Sequence, residues 1–565
     1  MIIYDMEAFK HDWMGAFLDT RTRQWTEIIN EKDKLEDFYY KNRDVVWVGY
    51  NNRGYDQWIV KGILCDFNPY DISDWIINKK RQGFEFSKLL NKFPMINYDV
   101  SIFGRSLKQL EAFMGHDIRE TSVPFDIDRK LIEDEKVDTM TYCRNDVMET
   151  FEIMIETADT YNTQMDIVIQ NKLQAVDIGK TQTQLTALVL GATKRNYDDE
   201  FDIEIVPNIR LGKYEYLRDE FINWSRNIKD YKWELEVDIA GVPHKLGFGG
   251  LHGARKNYIS YLKHILADVE SYYPSLIIKY DWFSRSIPDW GKKLYTDMYH
   301  HRLKLKAQGK KKEQAPHKLI LNKKYGGLKD KYSTLYDPRQ ANNICINGQL
   351  FLIDLIDKLE EYCSITQSNT DGVMFVIKDE RDKRKVFDIC NEWSKRSGMN
   401  LGYDVFKAVF QKDVNNYISV AEDGSLERLG GFVKKTHKLD NDLPIVGEAI
   451  VNYFVHNIPV EQTIMNEDSL IKFQKVSKLS SKYEHAIYDG KILTNKVYRT
   501  FATTGKGAVL LKKHHEKGKG DKVGSTPMNC IIINKNIEGE KVFPELDKQW
   551  YIDLAKHRVQ KFIAG

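Results

Sequence analysis

The sequence predicts a multidomain chain that combines α/β and α+β layers. Three observations carry this. At 565 residues the chain exceeds what one hydrophobic core usually serves. Residues 1–160 alternate short apolar runs with helical stretches. Further on, two β-rich runs each bring an aspartate to a strand end or hairpin tip, at Asp268 and Asp371, with a helical stretch between them.

Taken in order, Ile2 to Glu7 reads as a strand whose period of two puts Asp5 and Glu7 on one face. A second run, Asp44 to Tyr50, leads into Asn51-Asn-Arg-Gly-Tyr-Asp56. Tyr142 and Asp146 stand at i and i+4 of a helical stretch and share a face. Clustered carboxylates of this kind repel one another unless metal binds, and hard oxygen ligands favour Mg²⁺ or Mn²⁺. Residues 161–235 read as helical and polar, with no chemistry assigned to them. Leu246-Gly-Phe-Gly-Gly-Leu-His-Gly253 is either a linker or a loop where a backbone can approach closely.

The run Ile265-Leu266-Ala267 makes Asp268 the end of a buried strand, which Pro274 is expected to terminate. A carboxylate there is costly without a cation or hydrogen bonds. Lys318, Asn322 and Tyr325 fall on one helical face, and Gly326-Gly327 is expected to stop that helix. Asn369-Thr-Asp-Gly372 between β-rich runs is a hairpin signal that would place Asp371 beside Asp268.

Composition is that of an ordinary folded protein, with 42% hydrophobic and 29% charged residues. No run is long and apolar enough for a membrane span, and no leader is expected ahead of Asp5. The six cysteines lack C-x-x-C pairs, which argues against zinc or a disulfide framework and fits a reducing cytoplasm. Net charge is only +2, so an anionic polymer would have to be held by local patches. Lys304, Lys306 and Lys310 to Lys312 form one; Lys512, Lys513, His514, His515, Lys517, Lys519 and Lys522 form a second, read as a loop. Solvated flexible loops are the alternative for both.

Asp268-Val-Glu-Ser-Tyr-Tyr-Pro-Ser275 resembles the D-x-x-S-L-Y-P-S motif of family B DNA polymerases. The Lys318 helix resembles that family's K-x3-N-S-x-Y-G, with Lys323 in the serine's place. The Asp371 hairpin resembles its Y-x-D-T-D-S, with Asn369 and Gly372 as departures. Upstream, Asp-x-Glu, Asn-x-x-Tyr-Asp and Tyr-x3-Asp resemble the motifs of DnaQ-like 3′–5′ exonucleases, with Ala8 where relatives often carry threonine. Ser106-Leu-Lys-Gln-Leu110 resembles an (S/T)-L-x-x-h element.

This resemblance implies an RNase H-like exonuclease domain (1–160), a helical connection (161–235) and a right-hand polymerase domain. The latter would comprise palm (236–282 and 336–435), fingers (283–335) and thumb (436–565). It implies that Asp268 and Asp371 hold two Mg²⁺ ions, with Mn²⁺ as a substitute. Lys318, Asn322 and Tyr325 would bind the nucleotide, with Arg302 of the preceding basic helix, or one of several nearby lysines, as a second triphosphate clamp, and Tyr273 would exclude a ribose 2′-hydroxyl. Asp5, Glu7, Asp56 and Asp146 would hold the nuclease metals, and Tyr142 would orient water. Asn52, Tyr55, Ser106 and Leu107 would hold a frayed 3′ end.

Tyr417 would grip the primer, from a segment that resembles a K-x-Y strand with Asn415 for lysine, and Gly430 to Lys434 would form the next strand. The glycine-rich loop resembles a Y-x-G-G element, with Gly247 where the tyrosine would be. The short intervals Asp268–Lys318 and Gly326–Asp371 leave no room for the two insertions of protein-primed phage enzymes. The expectation is therefore a compact, bacteriophage-type monomer acting on primer–template DNA and dNTPs, with helicase, primase or single-strand-binding partners and no terminal protein. The rival expectations are a nuclease whose polymerase half is inactive and a DNA-binding replication scaffold.

Overall fold

The computed structural model describes residues 1–515 and 520–564. Contacts divide the chain into two compact units, each assembled from separate stretches. The first takes Met1–Lys180, Thr436–Ile445 and Ile464–Ile552; the second takes Thr181–Lys435, Val446–Thr463 and Asp553–Gly565. The stretch 436–565 is thus shared between both units. Among the described residues, no helix is long and apolar enough to cross a membrane, and all six cysteines are free thiols.

The first unit is α/β. Strands β1 (Ile2–Ala8), β2 (Trp13–Asp19), β3 (Gln24–Ile29), β4 (Trp47–Gly49) and β5 (Asn97–Asp99) form a sheet in the order β3-β2-β1-β4-β5. The β1–β2 and β2–β3 pairs are antiparallel, while β1–β4 and β4–β5 are parallel. Its helices are α1 (Lys32–Asn42), α2 (Asp56–Leu64), α3 (Pro69–Ile77), α4 (Lys88–Lys92), α5 (Leu107–Met114), α6 (Glu133–Glu156) and α7 (Ala158–Gln170). Strand β1 is apolar on both faces apart from its two acids, as a strand covered on both sides should be. Tyr4, Phe17, Trp47, Trp58 and Ile59 form the core. The later stretch adds strands Lys475–Lys478, Val497–Ala502 and Cys530–Ile532 as one sheet. Lys491–Leu493, Tyr483–Tyr488, Leu510–His514 and Gly520–Lys522 form another.

The second unit is α+β. Strands β6 (Leu235–Ile239), β7 (Val242–Leu246), β8 (His252–Ala254), β9 (Tyr258–Ser260), β10 (His264–Val269), β11 (Cys363–Ser368), β12 (Gly372–Ile377), β13 (Leu401–Asp413), β14 (Asn416–Ala421) and β15 (Leu426–Leu429) build one sheet. Its order is β15-β14-β13-β10-β12-β11-β8-β7-β6, with β9 also on β13, and the pairs are antiparallel. The helices are α8 (Gln182–Val189), α9 (Tyr216–Asn223), α10 (Tyr272–Lys279), α11 (Asp289–Ala307), α12 (Lys311–Lys329), α13 (Pro338–Leu359) and α14 (Lys383–Ser397). Helix α13 is buried along most of its length, and it buries Asn342, Asn343, Asn347, Gln349 and Asp354 along with its apolar residues. Leu276, Ile277, Leu350, Phe351, Val373 and Phe375 pack in the same core.

Several sequence expectations are corrected here. Pro274 does not end a strand: β10 stops at Val269, and Pro274 lies in the first turn of α10, where a missing N–H is tolerated. Gly326 and Gly327 do not stop the Lys318 helix, which continues to Lys329. Tertiary packing overrides the local signal, because a Cβ on Gly327 would meet Leu335 at 2.9 Å and Thr183 at 3.1 Å. Residues 161–235 are only partly helical, and Leu185, Leu211, Leu217, Phe221 and Trp224 are buried rather than solvated.

The glycine-rich stretch is no linker between the units; it connects β7 to β8 within one sheet. Gly430 to Lys434 forms a turn rather than a strand. Lys512, Lys513 and His514 lie on a strand paired with Gly520–Lys522, not in a loop. Lys517 and Lys519 lie outside the described residues.

Candidate active sites

In the first unit, β1 carries Asp5 and Glu7, and α6 packs across β1 and β2 to bring Tyr142 and Asp146 over them. Asp56 opens α2 after a turn that begins with Asn51 in a left-handed conformation (φ 58°). Its Oδ1 accepts the Met6 N–H at 3.1 Å, which fixes the carboxylate against β1. Cys143 Sγ donates to the Asp5 carbonyl at 3.3 Å from the other side. Asp5, Glu7, Asp56, Tyr142 and Asp146 thereby line one cleft of about 810 Å³, together with Tyr55, Ser106 and Leu107. No three of the four carboxylates bring ligand atoms within 4.8 Å of one another.

The electrostatics are those of an undercompensated acid cluster. Burial, with the charge of Asp146, pushes the Asp5 carboxyl up to about 7. Burial and the Asp5 charge hold Glu7 and Asp56 well above the usual carboxylate range. Burial also raises Asp146, against the pull of Lys108. Asp5 Oδ2 is buried without a hydrogen-bond partner. An orphaned oxygen among oxygen-only donors fits a hard divalent cation of the Mg²⁺ or Mn²⁺ type.

Asn52 is not in the cleft, contrary to the sequence expectation. It is fully buried, and its amide donates to Asn97 Oδ1 (2.9 Å) and the Tyr98 carbonyl (3.0 Å). Asn51 lines the cleft instead. The Tyr55 hydroxyl is 2.9 Å from Ser73 Oγ, and Ser106 Oγ is buried without a partner. Three cleft residues escape sequence reasoning. Phe103 is fully exposed at the rim, and Phe125 stacks on Phe9. Lys108 Nζ donates to Asp146 Oδ1 at 2.5 Å and lies 4.4 Å over the Tyr142 ring. Its place directly after Ser106-Leu107 was the available signal.

A tighter grouping, His116 with Glu149 and Glu152, lies outside this cleft. There His116 Nδ1 faces Glu149 at 2.8 Å and Nε2 faces Glu152 at 3.6 Å. Each ring nitrogen serves a different carboxylate, and Lys438 pairs with Glu152. That is an ion-pair network rather than a shared coordination point.

In the second unit, Asp268 sits on β10 between β12 and β13, opposite Gly372 and Gly402. The Val269 N–H donates to the Asp371 carbonyl at 2.7 Å, so the two aspartates are neighbours across the strand end. Asn369 shapes this corner: its Oδ1 accepts the N–H groups of Gly372 (2.7 Å) and Asp371 (3.2 Å). The departure at Asn369 therefore builds the turn without adding charge. Burial, then the Asp371 charge, pushes Asp268 up to about 7. Asp371 is raised by burial, with His252 opposing. Asp268 and Asp371 form a second oxygen-donor pair suited to the same class of cation.

Around this pair, Ser271 takes a left-handed conformation (φ 52°) that turns the chain from β10 into α10. Tyr273 then packs against Tyr325 of α12 with ring centroids 4.4 Å apart. Lys318 and Asn322 are exposed on α12, whereas Tyr325 is largely buried with an unpartnered hydroxyl. Lys323 is exposed; Lys324 is fully buried between Phe283 (3.9 Å) and Tyr295 (4.6 Å).

One face of α11 docks on the segment after Asp268. Tyr299 meets Ser275 at 2.9 Å, Arg302 donates to Ser271 Oγ, and Lys306 pairs with Glu270 at 2.9 Å. Arg302 is nearly buried, and its Nε lacks a partner. Tyr417 is buried within the sheet and gives its hydroxyl hydrogen to Glu427 at 2.9 Å. It lies on β14, so the segment is a strand, as the sequence led one to expect. A further cleft of about 740 Å³ follows the glycine-rich loop, with His244, Phe248 and His252 in its wall.

No family model matches this chain, and no curated protein does either. Among solved structures, it is similar to the family B DNA polymerase from the hyperthermophilic archaeon Pyrobaculum calidifontis. Identity is 13%, with 100% of this chain and 77% of that chain covered, at a TM-score of 0.42.

Proposed function

We propose that the chain is a template-directed DNA polymerase with a 3′–5′ proofreading exonuclease, of the family B kind and compact bacteriophage type. The first unit would hold an RNase H-like nuclease and the second the palm and fingers of a right hand. The single observation that carries the reading is the register of β10 against β12. It sets Asp268 and Asp371 side by side at a strand end, with the α12 nucleotide motif packed on Tyr273.

In the polymerase site, divalent metal bound by Asp268 and Asp371 would supply positive charge at the reacting phosphate. Lys318, exposed on α12, would pair with triphosphate oxygens, and Asn322 would face the same ligand. Arg302 would leave Ser271 to clamp the phosphates, a bidentate role that its guanidinium suits. The Tyr273 ring, backed by Tyr325, would fill the space of a ribose 2′-hydroxyl. In the nuclease site, Asp5, Glu7, Asp56 and Asp146 would hold metal, and Tyr142 would position water. Tyr55, Ser106 and Leu107 would hold the terminal nucleotides. Primer–template DNA, dNTPs and separate helicase, primase or single-strand-binding proteins would be the partners of a cytoplasmic, monomeric enzyme.

Primer extension with dNTPs and Mg²⁺ tests this. The wild type should extend a labelled primer and trim a 3′-terminal mismatch. Trimming without extension would favour a nuclease with a silent polymerase half.

A further inference from the structure

Lys108 sits between two carboxylates in the first unit, and only one of them faces the cleft. Its Nζ donates to Asp146 Oδ1 at 2.5 Å and to Glu111 Oε1 at 2.9 Å. All three side chains are nearly sealed from solvent, with exposures of 13% for Lys108, 0% for Glu111 and 8% for Asp146. Glu111 is not a lining residue of the cleft. Its Oε2 is buried with no hydrogen-bond partner. Among the described residues, Lys108 is the only cation hydrogen-bonded to the Glu111 carboxylate. Arg499 lies nearby but gives its Nη2 to backbone carbonyls, at 3.0 Å for Ala112 and 2.8 Å for His116.

A divalent cation on Asp146 and an ammonium 2.5 Å from the same carboxylate compete for one charge. Without a second partner, a displaced Lys108 would be a buried, unpaired cation, which is strongly unfavourable. Glu111 stands one turn away on the same helix and supplies that partner.

We infer that Glu111 is a positioning residue for the nuclease metal site: it receives Lys108 when metal takes Asp146, so that Lys108 holds the site closed to other cations until then. This rests on the metal-site reading of Asp5, Glu7, Asp56 and Asp146. Lys108 reaches both carboxylates already, so the exchange needs only loss of one hydrogen bond and retention of the other.

The test is Mn²⁺ titration of the full-length chain by calorimetry, in a background carrying Asp268→Ala and Asp371→Ala so that the nuclease cleft is read alone. Glu111→Gln should weaken Mn²⁺ binding about tenfold or more. Lys108→Met should bind Mn²⁺ at least as tightly as the background. In the double variant, the Glu111→Gln penalty should vanish, because no lysine then needs a second partner. Thermal melts of each variant separate loss of fold from loss of binding.

Unchanged affinity in Glu111→Gln would overturn the inference while leaving the metal site intact, as would a penalty that persists with Lys108→Met. Weaker binding by Lys108→Met alone would overturn it too. Absence of any Mn²⁺ binding that depends on Asp5 and Glu7 would overturn the metal-site reading and the exchange with it.

Discussion

Asp5 and Glu7 stand two residues apart on β1, and burial holds both carboxyls above their ordinary range. Replacing both with alanine should abolish removal of a 3′-terminal mismatch, by about a thousandfold or more, while primer extension continues. A gel assay on one labelled substrate reads both activities. His244 allows a prediction about pH. It is buried, with Nε2 2.7 Å from Ser368 Oγ and Nδ1 2.8 Å from the Val242 carbonyl, and burial lowers it to about 4. A histidine kept neutral in the fold binds fewer protons than in the unfolded chain below its ordinary value near 6.5. Its stabilisation is therefore full above that value and lost as pH falls toward 4, up to on the order of 3 kcal/mol. Chemical denaturation should show a flatter acid slope in that window for His244→Asn than for wild type. At this scale the sequence spoke unevenly. The positions of Asp5 and Glu7 were legible because strand periodicity fixes their facing, and that of Asp268 because the apolar run before it marks a strand. Asn52 was not, because its amide is claimed by Asn97, which arrives from a distant strand. Lys324 was illegible for the same reason, since Phe283 and Tyr295 reach it from other segments, whereas Lys108 had only its place after Ser106-Leu107 to mark it.

Among elements, the β11–β12 hairpin was legible from Asn-Thr-Asp-Gly, since a turn signal between β-rich runs is local information. The extent of α12 was not, because Gly327 is admitted by close neighbours rather than by propensity. Helix α11 carries the element-scale prediction. Its Tyr299, Arg302 and Lys306 hold the 270–275 segment, so Ser271 occupies Arg302, the proposed phosphate clamp, and Glu270 occupies Lys306 one turn further along the helix. Glu270→Gln should lower the KM for dNTP a few-fold with melting altered by less than about 1 kcal/mol, as suits a half-exposed pair. Steady-state extension kinetics over a dNTP series check this; a raised KM would contradict it. A second prediction concerns packing. Gly253→Ala would put a methyl 2.2 Å from the His244 ring, and overpacking should cost about 1–3 kcal/mol in a denaturation measurement.

For the whole molecule, the near-neutral charge leaves the proposed DNA binding to local basic groups such as Lys304 and Lys312, and no stretch of sequence announces how segments are shared between units. That 464–552 belongs with 1–180 is written in long-range packing, which no local pattern carries. The two acid sites lie in different units, and the account assigns each its own chemistry. The most direct test is extension of a labelled primer–template by the wild type and by Asp268→Ala, with dNTPs and Mg²⁺, scored alongside degradation of the same primer. The account predicts that Asp268→Ala loses extension about a thousandfold or more and keeps degradation. Extension that survives in Asp268→Ala would contradict it.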